Sequence, residues 1–355
     1  MNLTILSVAF WMTVLGPGSA GGAEQVLQQI DRGLVRRGHK SIVIARSESK
    51  VAGTLIRTAP SDGPVSREAW IAAHNAIRSA MFTTLQHHPV DLVHLHGIDF
   101  VDYLPPTDVP TLVTLHLPLG WYKPGALRVS RPNTYFHCVS RSQRESFPTQ
   151  MSFLPDIENG VACELMQDGP QIRKRNYIAL LGRICPEKGF HTGLQAAKRA
   201  RVAALLAGRV FPFAEHRRYF DERIAPELDS ARRYIGPVAM KRKRRLLSGA
   251  RCLIVPSLVA ETSSLVAREA MACGTPVVAF AKGALPEVVQ HGKTGFLVEH
   301  ESELPDAIHA CDSLNPQECR SVAERAFTSD KMVDSYIATY QQVLERSCRN
   351  LRVAS

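Results

Sequence analysis

The chain has 355 residues, of which 45% are hydrophobic and 21% are charged, and it carries a formal net charge of +10. This length is more than one compact core usually fills, so it predicts two domains, and the ordinary composition excludes a disordered or fibrous protein. The positive charge favours an anionic partner and leaves nucleotide phosphate, nucleic acid and an acidic membrane face open as candidates.

The N-terminal apolar run LTILSVAFWMTVLG is interpreted as the first β-strand. With the small residues GSAGGA after it, the run resembles a signal-peptide core followed by a cleavage site. However, no Lys or Arg precedes the run, and an amphipathic helical pattern follows it. We therefore expect a strand rather than a signal.

The cysteines and the hydropathy indicate a cytoplasmic protein. The eight cysteines are scattered, without a C-x-x-C pair or a His/Cys cluster at zinc-ligand spacing, so we expect reduced thiols. No apolar run reaches about 18 residues, which is the length that predicts a membrane span. Peripheral binding at the inner face of the membrane stays open.

In the first half of the chain, short apolar or β-branched runs alternate with helical patterns, which is typical of βαβ units and a parallel sheet. The clearest helix, AEQVLQQIDRGLVRRG, has Val26, Ile30 and Leu34 on one face and ends before Gly38. The strands that we predict here are LTILSVAF, KSIVIA, DLVHLH, TLVTLH and TYFHCVS.

A polar segment, QDGPQIRKRN, interrupts this pattern, and a second alternating series follows it. Its predicted strands are YIALLG, VAALLAG, RRYIG, RCLIVPS, PVVAF and GFLV, and the longest helical stretch is SDKMVDSYIATYQQVLERSC. We predict an N-terminal domain over residues 1–168, a C-terminal domain over residues 169–330 and a final helix over residues 331–355. Two open α/β domains are expected to bind ligands at the carboxyl ends of their strands, facing a cleft.

The loop GPGSAGG lies between the first predicted strand and the first helix. Gly16, Gly18 and Gly21 spell G-x-G-x-x-G, but Pro17 occupies the tight turn, and the second strand ends at Arg46 instead of an acidic residue. A flexible turn is one interpretation, and an NAD(P)-dependent oxidoreductase is a second. We favour close approach of the backbone to a ligand at a helix N-terminus.

Three histidines end predicted strands, at the edge where a doubly wound sheet displays functional side chains. For His94 and His96 we favour an ordinary hydrogen-bonding role. His116 is followed by the loop LPLGWY, whose aromatic pair suits contact with a sugar or another flat ligand. We therefore predict that His116 belongs to the functional site.

Two cations follow the strand YIALLG in the segment LGRICPEKGF. Arg183 and Lys188 lie at the carboxyl end of this strand and just before a helix, with Gly182 and Gly189 on either side. Cations next to a helix N-terminus can hold a diphosphate, whereas a solvated loop with ordinary charges is the simpler alternative. We predict a diphosphate site.

Two acids, Glu261 and Glu269, flank the start of the helical segment LVAREAMA. Eight residues in one helix span about 12 Å along the axis, which is too far for a joint acid–base pair and disfavours a paired-carboxylate hydrolase. We place Glu261 in the loop and Glu269 in the second turn, with Ser263 or Ser264 as the helix cap. The two acids would then contact different parts of one elongated ligand, with free helix N–H groups between them.

The basic run KRKRR, residues 241–245, is interpreted as a turn of a solvated helix. No aromatic residues are interleaved with it, as a protein that binds single-stranded nucleic acid would require, so we expect no nucleic acid partner. Contact with an anionic membrane surface stays open.

The long segment ETSSLVAREAMACGTPVVAFAKGALPEVVQHGKTGFLV contains E-x7-E, E-A-M-A-x-G-x-P-V-V and G-x-x-G-x-L-V in order. Together with GGAE, TLH, ENGV and LGRICPEKG, it resembles the GT-B glycosyltransferases of the retaining family 4, and the likeness covers most of residues 1–300. The resemblance implies an α/β chain with two Rossmann-like, doubly wound parallel-sheet domains facing a cleft. It also implies a last helix that crosses back to the N-terminal domain.

The resemblance further implies the roles of individual residues. Arg183 and Lys188 would bind the donor diphosphate, Glu261 would face the donor sugar, and Glu269 would hold the ribose hydroxyls. His116 would lie near the transferred sugar. The other residues implied in donor binding are Gly21, Gly22, Gly182, Ser263, Ser264, Leu265 and Val266. The family more often has Phe-Gly where this chain has the two serines, which affects the shape of the sugar pocket.

The implied activity is transfer of a sugar from a UDP- or GDP-sugar to an acceptor hydroxyl, with retention of configuration, in glycan, polysaccharide or glycolipid synthesis. The acceptor would be a carbohydrate or a lipid-linked molecule. No D-x-D motif occurs, so we expect neither a metal nor another cofactor. A GT-B-like protein that binds nucleotide sugars without catalysis is an alternative, as is the oxidoreductase.

Overall fold

The computed structural model describes residues 2–16, 19, 21–59, 66–128, 131–149, 151–167 and 174–354, the last four of these as backbone only. Pro17, Gly18 and Ala20 of the glycine loop, and residues 168–173 of the polar segment, lie outside the described residues. The chain forms two units, each built on a six-stranded parallel sheet. The first unit comprises Met1–Asn159 with Ser329–Ser355, and the second comprises Gly160–Thr328.

The first unit has the strand order β3-β2-β1-β4-β5-β6, the order of a doubly wound fold. Its strands are β1 (Thr4–Val8), β2 (Lys40–Arg46), β3 (Thr54–Thr58), β4 (Leu92–Leu95), β5 (Thr111–Leu115) and β6 (Thr134–Cys138). Its helices of five or more residues are α1 (Gly22–Arg36), α2 (Arg67–His87), α3 (Arg141–Glu145) and α12 (Ser329–Ala354). Five strands match predicted ones, whereas β3 was missed because its TLIRT sequence belongs to a half-exposed edge strand.

The strand β1 forms the centre of this sheet. All five of its residues are buried, and it pairs in parallel with β2 on one side and β4 on the other. An apolar strand that is covered on both faces is typical of a parallel sheet. The interpretation of the N-terminal run as a strand is therefore confirmed.

The second unit has the strand order β12-β11-β10-β7-β8-β9. Its strands are β7 (Tyr177–Leu181), β8 (Ala203–Ala207), β9 (Arg232–Tyr234), β10 (Leu253–Val255), β11 (Val277–Phe280) and β12 (Gly295–Val298). Its α-helices are α4 (Cys163–Gln167), α5 (Phe190–Arg199), α6 (Ala214–Tyr219), α7 (Met240–Gly249), α8 (Leu265–Ala272), α9 (Leu285–Val288), α10 (Leu304–Ala310) and α11 (Pro316–Ala326). All six predicted strands are present.

The boundary between the units lies after Asn159, rather than after residue 168 as the sequence suggested. The N–H of Val161 donates to the carbonyl of Phe327 at 2.7 Å, and the thiol of Cys163 donates to the carbonyl of Ala323. The residues after Asn159 therefore pack on the second unit before the polar segment begins.

The helix α12 starts at Ser329 and belongs to the first unit. The Cα of Gly33 in α1 lies against Val333, so a side chain at position 33 would overlap this valine. Arg37 forms an ion pair with Asp334 at 2.7 Å. Within the described residues, neither α12 nor any other helix is both long and apolar enough to cross a membrane.

Candidate functional site

Three neighbouring strands of the second unit place their carboxyl ends around Glu261. Gly189 follows the turn after β7 with a φ of 61°, and a Cβ there would overlap the carbonyl oxygen of Pro256 beyond β10. The N–H of Leu258 donates to the carbonyl of Glu187 at 2.9 Å, which joins the same two loops. These contacts hold the loop that carries Lys188 against the loop that carries Glu261.

The third strand end also contacts Glu261. Gly283, beyond β11, has a φ of 59° and lies so close that a Cβ would overlap the Glu261 backbone. The N–H of Ala284 donates to the carbonyl of Glu261 at 2.7 Å. Both glycines are therefore required by positive φ and by close backbone approach.

Lys188 and Glu261 form the central ion pair of the site. The Nζ of Lys188 lies 2.6 Å from Oε1 of Glu261, and the hydroxyl of Ser257 donates to the same oxygen. Burial alone would raise the pKa of this carboxyl, but Lys188, Ser257 and Arg183 outweigh that effect and lower it below its usual value. Glu261 is therefore ionised at neutral pH, and two of the predicted residues, Lys188 and Glu261, are in direct contact.

The helix α8 begins directly after Ser264, and its first turn points backbone N–H groups away from the helix. We predicted a serine cap, and this was wrong for Ser264: its hydroxyl makes no capping hydrogen bond, and its φ is 58°. The hydroxyl of Ser263 instead accepts from the guanidinium of the buried Arg268 at 2.7 Å. Within the described residues, the cap residue of α8 therefore leaves the N–H groups of the first turn without a side-chain cap.

We expect Ser264→Gly to raise the stability of the second unit by about 1 kcal/mol. The left-handed backbone costs a serine roughly 1–2 kcal/mol, which exceeds the chain entropy that a glycine loses on folding. The buried Ser264 hydroxyl, which has no hydrogen-bond partner among the described residues, would also disappear. Urea unfolding should give a higher midpoint for this variant.

The matched control is Ser263→Gly, which removes the hydroxyl that binds Arg268 and should lower the midpoint. An equal response of the two variants would contradict the assignment of strain to position 264.

Glu269 lies in the second turn of α8, as predicted, and is buried. Its Oε1 pairs with the Nζ of Lys243 at 2.5 Å, and both side chains are largely buried. Lys243 belongs to the basic run that we interpreted as solvated, and that interpretation was wrong for this member because α7 packs on α8. Lys243 and Ser257 contact the two predicted acids, and the sequence did not reveal either residue.

In the first unit, His116 follows β5 and is buried. Its Nε2 lies 3.0 Å from Nδ1 of His96, and the two rings stack. His94 and His137 both bond to the hydroxyl of Thr114, at 2.7 and 2.6 Å. Burial lowers the pKa of His116 to about 3, so its imidazole is neutral at pH 7. The ring can therefore donate one hydrogen bond and accept another, but it carries no charge.

The glycine loop leads into the N-terminus of α1. Gly21 is the residue before the helix and Gly22 is its first residue, with the buried Glu24 in the first turn. Gly21 has no side chain with which to cap this helix. Arg46, which the oxidoreductase alternative would use for a 2′-phosphate, pairs with Glu48 at 2.5 Å.

Within the described part of the chain, one group of side chains could hold a metal ion. The donor atoms of Cys185, Glu187 and His216 lie within 4.8 Å of one another. Burial raises the pKa of the Cys185 thiol to about 12, which disfavours the thiolate that binds metals.

Two models of known families match the chain, one in each half. The model described as Glycosyltransferase Family 4 matches residues 20–161, and the model described as Glycosyl transferases group 1 matches residues 175–312. The chain belongs to the group 1, family 4 glycosyltransferases. The resemblance found in the sequence is thereby confirmed.

Individual relatives are similar over shorter regions. The chain is 40% identical over 92 residues to N-acetyl-alpha-D-glucosaminyl L-malate synthase of Bacillus anthracis, a match that covers 24% of each chain. It is 31% identical over 195 residues to D-inositol 3-phosphate glycosyltransferase of Geodermatophilus obscurus, which covers 54% of this chain and 38% of the relative. The chain thus spans less than half the length of these curated relatives.

Solved structures match over nearly the whole chain. The similarity to Anabaena HepE in complex with UDP and glucose has a TM-score of 0.74 at 18% identity and covers 96% of this chain and all of the other. AviGT4, a glycosyltransferase involved in avilamycin A biosynthesis, gives a TM-score of 0.71 at 22% identity, covering 97% of this chain and 98% of the other. These likenesses show the GT-B fold that we expected.

Proposed function

We propose that this glycosyltransferase family member transfers a sugar, with retention of configuration, from a UDP- or GDP-sugar to a hydroxyl of a carbohydrate or lipid-linked acceptor. The observation that carries the proposal is the Lys188–Glu261 ion pair at the strand ends, beside the uncapped N-terminus of α8. Glu269 lies farther along the same helix, which suits a ligand that extends from a sugar to a ribose.

The main chemical task of the site is to stabilise the departing diphosphate. In the free protein the ammonium of Lys188 is neutralised by Glu261, and a diphosphate would give it a second anionic partner. Arg183 and the free N–H groups of α8 add positive potential at the same strand ends. Fixed positive groups aimed at developing negative charge are usually the largest single contribution to catalysis.

Glu261 is better suited to orient a sugar than to attack it. One of its oxygens already accepts hydrogen bonds from Lys188 and Ser257, and its pKa lies below the usual value. A carboxylate held in this way is a weak nucleophile. We therefore propose that the acceptor hydroxyl attacks on the face from which the diphosphate leaves, without a covalent intermediate on the protein.

We further propose that the protein acts without a metal or another cofactor, because the cations of Arg183 and Lys188 supply the charge that a divalent ion would supply. Transfer should then persist in EDTA. A cytoplasmic location fits a nucleotide-sugar donor, and an anionic membrane surface is a candidate partner if the acceptor is lipid-linked.

The proposal is tested by a thermal-shift panel of UDP-, GDP- and ADP-sugars with the parent protein, Glu269→Ala and Arg183→Ala. We expect one nucleotide class to raise the melting temperature of the parent, and both variants to lose most of that rise. Because Glu269→Ala leaves Lys243 unpaired, the ligand-induced rise is compared and not the melting temperature itself. If no sugar nucleotide stabilised the parent, the donor site would be assigned wrongly.

A protein that binds donors without catalysis would give the same thermal shifts. Slow hydrolysis of the donor in the absence of acceptor separates the two cases, because only a catalytic site would release nucleoside diphosphate. Failure of the bound donor to hydrolyse or transfer with any acceptor would favour the binding protein.

A further inference from the structure

All three tryptophans of the chain line one pocket of the first unit. The pocket has a volume of about 240 Å³, and its walls are Phe10, Trp11, Met12, Trp70, Ile98, Asp99, Trp121 and Lys123. Six of these eight side chains are aromatic or aliphatic. The pocket is thus a mostly apolar cavity with a carboxylate and an ammonium group in its wall, which is a common composition for small-molecule sites.

The pocket lies at the carboxyl ends of three adjacent strands. Trp11 follows β1, Asp99 follows β4 and Trp121 follows β5, while Trp70 comes from the first turn of α2. Open α/β sheets bind their ligands at this edge. The pocket therefore lies at the edge where sheets of this kind bind their ligands.

Among the tryptophans, Trp121 is the one available for a ligand. Trp70 already has the ammonium of Lys123 at 4.4 Å from its ring centre and the ring of His74 at 4.0 Å. Trp11 is buried against His74. Trp121 is 42% exposed, and within the described residues its ring makes no aromatic or cation contact.

The loop that carries Trp121 is held in place by its neighbour. Tyr122 is buried, and its hydroxyl accepts from the N–H of Leu117. Of the aromatic pair noted in the sequence, one ring therefore anchors the loop and the other faces the pocket. An exposed tryptophan on an anchored loop makes a rigid platform with little conformational entropy to lose on binding.

The polar side of the pocket is formed by Asp99, which is buried. Its Oδ2 lies 2.7 Å from Nε2 of His74, and its Oδ1 accepts from the hydroxyl of Tyr103 at 2.8 Å. Each carboxylate oxygen can accept a second hydrogen bond, so Asp99 is fixed in place and still able to accept from a ligand hydroxyl.

We propose that this pocket binds one hydroxylated six-membered ring of the acceptor, a pyranose or a cyclitol, with its C–H face on Trp121 and a hydroxyl donating to Asp99. The inference rests on the proposed function, which requires an acceptor hydroxyl. The C–H groups of such a ring carry partial positive charge and suit the negative face of an indole. The volume suits one ring, because sites for drug-sized ligands begin at about 300 Å³.

A purely apolar ligand fits this pocket less well. It would desolvate the Asp99 carboxylate and the Lys123 ammonium, which pairs with Asp102 at 2.5 Å, without offering them hydrogen bonds. A hydroxylated ring fits better, because its apolar faces can pack on the apolar side chains and its hydroxyl groups can form hydrogen bonds with the charged ones.

Intrinsic tryptophan fluorescence tests the proposal, since every tryptophan of the chain lies in this pocket. Methyl glycosides of glucose, galactose, mannose and N-acetylglucosamine, together with myo-inositol and 1-hexanol, are titrated into the high millimolar range. We expect a saturable change in emission with at least one pyranoside or with myo-inositol. A response to a pyranoside identifies the ring as a pyranose, and a response to myo-inositol identifies it as a cyclitol. A response to hexanol alone, or to none of the probes, would overturn the proposal.

Variants separate stacking from a structural role. Trp121→Ala should weaken binding of the responding ring about threefold to tenfold, whereas Trp121→Phe should bind nearly as the parent does. Asp99→Asn should also weaken binding, and Phe82→Ala, which removes an exposed aromatic ring from α2, should not. Equal affinity of Trp121→Ala and the parent would contradict the proposed stacking.

The donor panel keeps this test independent of the proposed function. The variants of the thermal-shift panel, Glu269→Ala and Arg183→Ala, lie in the second unit, whereas the tryptophans that report ring binding lie in the first. If a sugar nucleotide bound but no ring compound changed the emission, the pocket proposal would be wrong and the proposed transferase function would stand. If a ring compound changed the emission but no sugar nucleotide bound, the pocket would be a sugar-binding site and the proposed transferase function would be wrong.

Discussion

Lys188→Met is expected to lower the rate of sugar transfer by about two to three orders of magnitude at saturating donor, because the departing diphosphate loses a fixed cation. The same change leaves Glu261 with only Ser257 and Arg183 to offset the cost of its burial. The pKa of Glu261 should then rise, and the second unit should lose stability on the order of 1–3 kcal/mol. Steady-state kinetics and urea unfolding measure the two effects.

A double variant separates them. Lys188→Met with Glu261→Gln removes both charges, so most of the lost stability should return while transfer stays slow. Lys188→Arg keeps the charge and should retain more activity than Lys188→Met, although the planar guanidinium group has a different hydrogen-bond geometry from the ammonium. If the double variant regained the parent rate, Lys188 would act only by neutralising Glu261, and its role at the diphosphate would be wrong.

The sequence predicted the structure well where the pattern lies within a single helix or motif. The segment LVAREAMA has a clear helical period, and α8 spans the same residues, with Glu269 in its second turn. The resemblance likewise pointed to Lys188 and Glu261, which form an ion pair at 2.6 Å. Periodicity and motif order are local properties, so they can be read without the fold.

The sequence was a poor guide where an outcome depends on what packs against a residue. Lys243 is one of five consecutive basic residues, and only the packing of α7 on α8 distinguishes it from its neighbours. The preference of serine for helix caps predicts an extended backbone at Ser264, yet Ser264 has a φ of 58°. The tryptophan pocket is similar, because its walls lie up to 113 residues apart in the chain, from Phe10 to Lys123.

The first unit is expected to lose stability steeply as the pH falls below about 6.5, because four histidines towards the carboxyl ends of β4, β5 and β6 are buried. Burial lowers the pKa of His94, His96, His116 and His137 below 6.5, to about 3 for His116 and about 4 for His137. Below pH 6.5 these histidines are protonated in the unfolded chain but stay neutral in the folded unit. Their contribution to the free energy of unfolding is therefore fully present above pH 6.5 and is lost as the pH falls towards the folded pKa values.

The dependence of the free energy of unfolding on pH follows from the number of buried histidines. Each histidine that is protonated only in the unfolded state lowers the free energy of unfolding by about 1.4 kcal/mol per pH unit. His74 acts in the opposite sense, because although burial lowers its pKa, the bond to Asp99 raises it above 6.5 overall. Urea unfolding followed by tryptophan emission reports on this unit alone, since all three tryptophans lie in it.

A variant that cannot be protonated assigns the slope to the cluster. His94 bonds to Tyr340 of α12 at 2.9 Å and to Thr114 of β5 at 2.7 Å, so His94→Gln keeps a donor and an acceptor but loses the titrating group. Its slope between pH 6.5 and pH 4.5 should be smaller by about 1.4 kcal/mol per unit, whatever its stability at pH 7. The exposed His87→Gln is the control and should keep the parent slope. A parent whose unfolding midpoint stayed constant over this range would show that the buried cluster takes up protons without unfolding, and that α12 is not held by neutral histidines.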